Sequence, residues 1–533
     1  MFSGALELRK DFWNAALAPK FFMYSPGPMY MLIGVLSAYE ALVRPLELVG
    51  IRDGVTFMVM GRAISATLGT ATIPLVFLLA RRVAGPRAGM LAAGLLAVSV
   101  IHLRDSHFFS VDVSLTFFCV LTWLAAMHIA GRARVRSYVA AGVAFGAAVL
   151  CKYSAAFLAP VIAVAHLASP RTFAWPGALQ QRGALLRWVL TGIVPLVVAL
   201  ATFLLLDPHV YLHYDKFRAD VAELVTQPME MGANAGVWAA HFTGIAPRTY
   251  WFTNLLWWGL GPALEIWGLM GVAWLLWMRT RASLTAAAFP IFYFIAAGQT
   301  ALPFIRYTVP LAPALAVAAG VLSADLLGRA RWRRPALAAT WIVCVTTTLW
   351  ALAYMNVFVK PDVRLQASQY LLRHVQKDAH ILIEPTHNTP PTGRYLTEPA
   401  FDADYMIWGP QGERHDYYRM YALDTYRHLY SRRPTDDQKR EYIAQRLALA
   451  DYILMDDTYV QFYDALPASE HGVVKEYYRK LFAGELGFKL QRSFKVYPSL
   501  FGVSINDDEA ELTFRLFDHP RIYLFTRTTP RPQ

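Results

Sequence analysis

Residues 103–121 read LRDSHFFSVDVSLTFFCVL, a stretch in which one Arg, two Asp and one His interrupt an otherwise apolar pattern. Long apolar runs flank it on both sides, so two readings compete. In the first it is a polar turn between two helices. In the second it is the floor of an active site, because ionisable groups at or below a membrane surface are costly and mark function when they converge. The remainder of the chain has to decide between them.

The chain has 533 residues, of which 56% are hydrophobic and 17% charged, whereas an average soluble domain carries about 25% charged residues. With a mean hydropathy of +0.32, this composition points to a membrane protein long enough for more than one domain. The formal net charge is +12. Its arginines concentrate in short connectors between apolar runs, which is the signature of cytoplasmic loops rather than of nucleic-acid binding. Cys119, Cys151 and Cys344 are far apart and form no CxxC pair, so neither a zinc site nor a disulfide framework is expected. The opening MFSGALELRKDFW lacks the continuous apolar core of a cleavable signal peptide.

A spanning helix needs about 20 mainly apolar residues. Candidate spans lie near 56–80, 87–103, 112–131, 137–151, 154–168, 187–206, 250–278, 283–299, 302–327 and 335–358. The basic connectors RRVAGPR (81–87), GRARVR (131–136), 169–187, RTR (279–281) and GRARWRR (328–334) fall at every second link, as the positive-inside rule requires of cytoplasmic loops. The other connectors then face outward. They hold Arg104, Asp105, His107 and Asp112, then Lys152 and Tyr153, the stretch DPHVYLHYDKF (207–217) with His209 and His213, then His241 and Arg248, with Arg306 just inside the next span. Segment 28–48, PMYMLIGVLSAYEALVRPLEL, either crosses outward or lies along the outer interface; the Pro/Gly-interrupted FFMYSPGP before it favours the interface.

Each of these residues has an ordinary structural reading beside the functional one. Asp105 and Asp112 share a face if the segment between them is helical, yet Asp112 also suits a helix first turn and Asp105 suits a local ion pair with Arg104. Lys152 at a helix end either snorkels to the interface or meets an anion such as a lipid phosphate. Arg306, in LPFIRYTVPLAP, keeps its charge and needs an anionic partner, phosphate or a carboxylate. Asp207, His209 and His213 are close enough in sequence for a metal to be considered, but Pro208 and the neighbouring aromatics favour a loop or interfacial helix. No cofactor is required by these patterns, and a divalent cation stays open. Glu265, inside the 250–278 span, is expected to pair with another polar group of the bundle.

After 358 the composition changes. VRLQASQYLLRHVQ reads as an amphipathic helix, HILIEP and ADYILMDD as buried strands, and ELTFRLFD and RIYLFTRT as closing strands, together a small α/β domain on the outer face. The expected organisation is an outer-loop or interfacial segment over 1–55, a transmembrane domain over 56–358 and an extracytoplasmic domain over 359–533.

In order along the chain, RDSHFFSVDVSLTFF, GVAFGAAVLCKYSAAFLAP, DPHVYLHYDKF and RYTVPLAP resemble the phospholipid-carrier-dependent glycosyltransferases of the protein O-mannosyltransferase type, which are similar to the lipid A aminoarabinose transferases. The resemblance covers about residues 15 to 330. It implies a mainly α, polytopic GT-C membrane fold with 10–11 spanning or interfacial helices. It also implies a polyprenyl-phosphate sugar donor and transfer on the extracytoplasmic face of the cell membrane to a glycolipid, glycan or protein. By the same resemblance Asp112 matches the acidic residue of a DxxLTFF pattern, Lys152 the basic residue of a KY motif and Arg306 the arginine of an RYxxP motif. The expected catalytic residues are Asp112 and its neighbour in the cluster Asp105; Lys152, Tyr153, Arg306, Tyr307, Arg104 and His107 are the expected substrate- and phosphate-binding residues, and His209 and His241 are candidate outer-loop contacts. Family members place a further acidic motif after a first spanning helix. Glu7 and Asp11, the nearest acids here, do not sit in that context, and the expectation is that such a helix precedes Met1. A transporter or flippase would also explain many spans and buried charges, but no internal symmetry supports one. A non-catalytic scaffold with the same fold is the third reading.

Overall fold

The computed structural model describes residues 25–42, 53–170, 182–226, 242, 244–386, 388–390, 414–415, 418–425, 428–431 and 433–530. The chain divides into two compact units, Met1–Met229 with Pro247–Ala351, and Glu230–Ala246 with Leu352–Gln533.

The first unit is helical. Its elements begin with α1 (Gly27–Leu42), α2 (Asp53–Ala97), α3 (Val100–Ser106), α4 (Val111–Arg132) and α5 (Val135–Cys151), then a 3-10 turn over Tyr153–Phe157, α6 (Leu158–Leu167), α7 (Arg182–Leu206), α8 (His209–Leu212) and α9 (Tyr214–Thr226). After these come α10 (Pro247–Tyr250), a π turn at Trp251–Leu255, α11 (Leu256–Leu260), α12 (Pro262–Met278) and α13 (Arg281–Ala297). A second 3-10 turn at Ile305–Thr308, α14 (Leu311–Gly328) and α15 (Arg333–Val359), which runs past the unit boundary, complete it. Among the described residues five helices are long and apolar enough to cross a membrane, or six if the bent pair around Gly261 is one span, and four shorter apolar helices accompany them. This is the expected mainly helical, polytopic architecture.

The details depart from the sequence reading where glycine and proline intervene. The single span expected over 250–278 is two helices bent by 118°. Gly261 makes the bend at φ +82, and Trp350 Cδ1 would lie 3.1 Å from an added Cβ; a β-carbon would be strained in that backbone region. The 56–80 and 87–103 runs are separated, as expected, by non-helical backbone at Ala84 and Gly85, and the second ends at Ala97, before α3. The helix expected over 302–327 begins at Leu311, after the 3-10 turn. The described part of the 28–48 segment lies in α1. It buries Met29, Leu32 and Leu36 against Met60, Ile64 and Phe109.

Small residues bring the helices together, as they do where apolar burial alone gives little drive for helix association. A Cβ on Gly320 of α14 would meet Ala88 O at 2.7 Å, and one on Gly271 of α12 would meet the Ala318 carbonyl carbon at 2.4 Å. Gly271→Ala therefore forces α12 and α14 apart and should lower the thermal midpoint by an amount equivalent to about 1–3 kcal/mol. Gly94→Ala, where an added carbon meets nothing within 4 Å, should hold or slightly raise it, because Ala is the better helix former. Thermal denaturation of the detergent-solubilised full chain reads both.

The second unit is a three-layer α/β arrangement. It holds α16 (Val363–His374), β1 (His380–Ile383), β2 (Arg414–His415), β3 (Tyr418–Ala422), α17 (Asp436–Ala448), β4 (Tyr452–Asp456), α18 (Thr458–Ala465), α19 (Ala468–Ala483) and β5 (Phe488–Phe494). A small ribbon of β6 (Ser499–Leu500) and β7 (Val503–Ser504), then α20 (Leu512–Leu516) and β8 (Ile522–Arg527), complete it. The main sheet runs β2-β3-β1-β4-β8-β5, with β1 parallel to β3 and β4 and with β8 antiparallel to β4 and β5. Alternate residues of β1 serve opposite cores. Ile381 and Ile383 join α16, and Leu382 joins the cluster of Tyr463, Tyr477 and Tyr478, which is why HILI reads as a continuous apolar run. The helix, both buried strands and RIYLFTRT form as expected. ELTFRLFD does not form a strand: the Glu511 carboxylate accepts from Thr513 N at 3.1 Å and starts a short helix, local capping that outweighs β propensity.

Just past β1, Glu384 is 2% exposed and accepts from Tyr478 Oη at 2.9 Å and Tyr477 Oη at 3.4 Å. Burial, together with the nearby charge of Asp456, pushes its carboxyl up to about 8 against the restraining hydrogen bonds of the two tyrosines. The folded-state value lies above the ordinary 4.5, so its contribution to stability is complete below that value and is lost as pH rises through about 8. Glu384→Gln should remove that loss. The difference in thermal midpoint, variant minus wild type, should grow between about pH 4.5 and about pH 8 and hold above it, read by thermal scans of the full chain.

Candidate functional site

The opening stretch is neither one helix nor a loose turn. α3 ends at Ser106 and α4 begins at Val111, so Asp105 and Asp112 do not share a helical face; the expectation that they might is corrected by the break at 107–110. Asp105 instead pairs with its neighbour Arg104 at 2.9 Å, and both side chains are buried. Arg104 also lies 5.6 Å from the Phe108 ring centroid. His107 caps α3, its Nδ1 meeting Leu103 O at 2.7 Å. These three residues have local structural partners.

Asp112 reaches further. It stands in the first turn of α4, where its backbone N–H donates to the N-cap Ser110 Oγ at 3.2 Å, and its side chain is 2% exposed. Lys152, the residue that caps α5, donates to Asp112 Oδ1 at 2.8 Å and keeps 30% of its side chain exposed. The hairpin of α4 and α5 turns at Ala133, which adopts φ +46, so the start of one helix meets the end of the other. Each charge also suits its helix dipole, the anion at an N-terminus and the cation at a C-terminus.

Tyr307, in the 3-10 turn before α14, lies under both cations: Lys152 Nζ is 4.4 Å from its ring centroid and Arg306 Cζ is 5.5 Å away. The Arg306 guanidinium also covers the Phe304 ring at 4.5 Å. Tyr293 of α13 ties this turn down by donating its hydroxyl to Tyr307 O at 2.5 Å. The structure thus brings Asp112, Lys152, Arg306 and Tyr307 together from three separate segments. Each cation sits on an aromatic face, an arrangement that favours the charge.

Tyr153, next to Lys152, belongs to an adjoining cluster. It packs edge-on to Phe203 and Phe217, at 6.2 and 5.8 Å. Asp207, which ends α7, accepts from Tyr30 Oη at 3.3 Å. His209 stacks on His213 with centroids 6.0 Å apart. His241, Glu7 and Asp11 lie outside the described residues. The described residues contain no group of three His, Cys, Asp or Glu able to hold a metal, and the three cysteines are free. Glu265 departs from expectation: its Oε2 is buried with no hydrogen-bond partner among the described residues. Tyr293 escaped the sequence reading because a tyrosine inside an apolar helix carries no signal of its own.

Asp207 is 1% exposed, and burial raises its carboxyl to about 6, with hydrogen bonds from Tyr30 and the His209 backbone pulling the other way. The groups around it are Tyr30 from α1, Tyr153 from the 3-10 turn, and His209 and His213 beyond α7. Because the folded value exceeds the ordinary 3.8, stability from this group is complete below that value and falls as pH rises through about 6. Asp207→Asn should therefore gain thermal midpoint over wild type as pH rises from about 4 to about 7 and hold that gain above it. A constant difference across that range in thermal scans would show that Asp207 does not titrate there.

Residues 54–201 match the family model described as dolichyl-phosphate-mannose-protein mannosyltransferase, the type that the sequence motifs resemble. The segment contains Asp112, Lys152 and Tyr153. Among solved structures, the apo oligosaccharyltransferase of Archaeoglobus fulgidus is similar, with a TM-score of 0.50, 14% identity, and coverage of 96% of this chain and 71% of that one. ArnT of Cupriavidus metallidurans in its apo state gives a TM-score of 0.43 at 16% identity, covering 87% of this chain and 89% of that one. No curated protein sequence matches. The fold is the GT-C membrane fold.

Proposed function

We propose that the chain is an integral-membrane glycosyltransferase that moves a sugar from a polyprenyl-phosphate carrier to an acceptor on the extracytoplasmic side of the cell membrane. One observation carries the reading: Lys152 offers a partly exposed ammonium, fixed by the buried Asp112 at 2.8 Å and laid over Tyr307. It does so inside the segment that matches a family described by a lipid-phosphate-linked sugar.

The chemistry follows from the bond to be broken. A sugar phosphodiester has a good leaving group, so the site needs no strong general acid. The bond from the anomeric carbon to the phosphate oxygen breaks with its electron pair leaving on that oxygen. Positive charge develops on the sugar ring, as in glycoside hydrolysis. Lys152 faces the growing negative charge, and a prepositioned cation in a low-dielectric site stabilises such charge strongly. Arg306, against the same tyrosine ring, supplies a planar fork suited to phosphate. The acceptor hydroxyl oxygen bonds to the anomeric carbon and releases its proton to the departing phosphate, whose second pKa of about 6 makes it a competent base near neutrality.

Asp112 is buried and already engaged with Lys152, so in this scheme it is a positioning residue. A strongly hydrated ammonium on a flexible stem stays where it is held, and Asp112 holds it.

Native membranes containing the chain, supplied with labelled polyprenyl-phosphate sugars, should release bare polyprenyl phosphate; membranes lacking the chain should not. Lys152→Met should cut that release by about a hundredfold or more, the usual loss when a transition-state charge partner goes. Asp112→Asn should raise KM and lower kcat, because the ammonium is retained but not oriented. Wild-type turnover by Lys152→Met would overturn the assignment.

A further inference from the structure

We infer that the cluster around Asp207 is a binding subsite for the hydroxyl groups of a sugar ring, the ring carried by the donor lipid; this rests on the transferase reading above. Several groups meet there from four segments. Tyr30 of α1 donates to Asp207 Oδ1 at 3.3 Å. Tyr153 lies beside Ser25 and within electrostatic reach of Asp207. His209 and His213 follow from α8 and its cap, stacked nearly parallel at 9°.

Within the stretch from Asp207 to His213, three buried polar atoms have no hydrogen-bond partner among the described residues: Asp207 Oδ2, His209 Nδ1 and His213 Nε2. Each such atom left unsatisfied costs on the order of 1–3 kcal/mol, so three of them within seven residues call for a ligand that supplies both donors and acceptors. Asp207 is 1% exposed, whereas Tyr153, His209 and His213 each keep part of their surface exposed. The surroundings are apolar and aromatic, with Leu150, Phe203, Val210 and Phe217 packed with Tyr153 and Tyr30.

A carboxylate, two imidazoles and tyrosine hydroxyls in an aromatic frame match the chemistry of a polyhydroxylated ring. Hydroxyls of such a ring donate to the carboxylate and exchange donors and acceptors with imidazole. The described residues offer no metal-ligand set, which leaves the hydroxyl-bearing ligand as the one the cluster fits. Position adds the identity of the ring. Tyr153 directly follows Lys152, and consecutive Cα atoms stand about 3.8 Å apart. A sugar is one ester bond from its carrier phosphate, so groups flanking the phosphate cation are the ones the donor ring meets. α1 is held close to this corner, since a Cβ on Gly27 would lie 2.6 Å from Leu150 O.

The test separates ring recognition from phosphate recognition. The full chain in lipid nanodiscs is titrated with undecaprenyl phosphate and with its mannosyl, glucosyl, galactosyl and aminoarabinosyl phosphodiesters. The wild type should bind at least one glycosylated carrier more tightly than the bare one. Asp207→Asn and Tyr153→Phe keep side-chain shape. Each should weaken binding of that glycosylated carrier about tenfold, the loss expected for one hydrogen bond in a dry site, and leave the bare carrier within about twofold of wild type. Lys152→Met should weaken both. Equal losses for both lipids in the Asp207 and Tyr153 variants, no loss for either, or no preference of the wild type for any glycosylated carrier would overturn the subsite. Wild-type protein that binds no carrier at all would overturn the transferase reading, and the subsite with it.

Discussion

The Asp112–Lys152 ion pair joins the open end of the α4–α5 hairpin, and the geometry of the candidate site depends on it. A carboxylate with 2% of its side chain exposed is expensive to keep ionised unless a cation stands against it, and breaking a buried pair leaves an uncompensated charge. The pair therefore constrains both helix ends at once. It places an ammonium over the Tyr307 ring, where the chain turns into the Tyr153–Phe157 3-10 segment.

The surroundings keep that ammonium usable. Tyr307 and Phe304 give Lys152 and Arg306 aromatic faces to rest on, which favours both charges. The 3-10 turn that carries Arg306 and Tyr307 is tied to α13 by the Tyr293 hydroxyl. Close helix contacts at Gly271 and Gly320 lock the frame behind it. Function and packing thus use different residues: charged and aromatic groups at helix ends for the site, glycine and alanine at helix midpoints for the frame.

The second unit obeys soluble-protein rules. Its sheet has apolar clusters on both faces, and it buries pairs such as Arg515 with Asp457 at 2.5 Å and His519 with Asp507 at 2.7 Å. Glu384 instead accepts hydrogen bonds from two tyrosine hydroxyls. Burial raises its carboxyl group's pKa against those bonds.

The sequence by itself determined the membrane class, the alternation of basic connectors, the helical first unit, the α/β second unit and the motifs that bear Asp112, Lys152 and Arg306. These follow from composition and period, which depend on neighbours along the chain. It also showed that charges gather in the opening stretch, but not which of them belong together. Asp105 turns to its neighbour Arg104, whereas Asp112 crosses forty positions to Lys152, and a local pattern cannot distinguish a short pairing from a long one. The helix at Leu512–Leu516 follows from the local Glu511 cap and the bend from Gly261. The gathering of Tyr30, Tyr153 and Asp207, by contrast, was decided only in three dimensions: it depends on which helix ends come to lie together, and that is set by packing over the whole unit rather than by the propensity of any one segment.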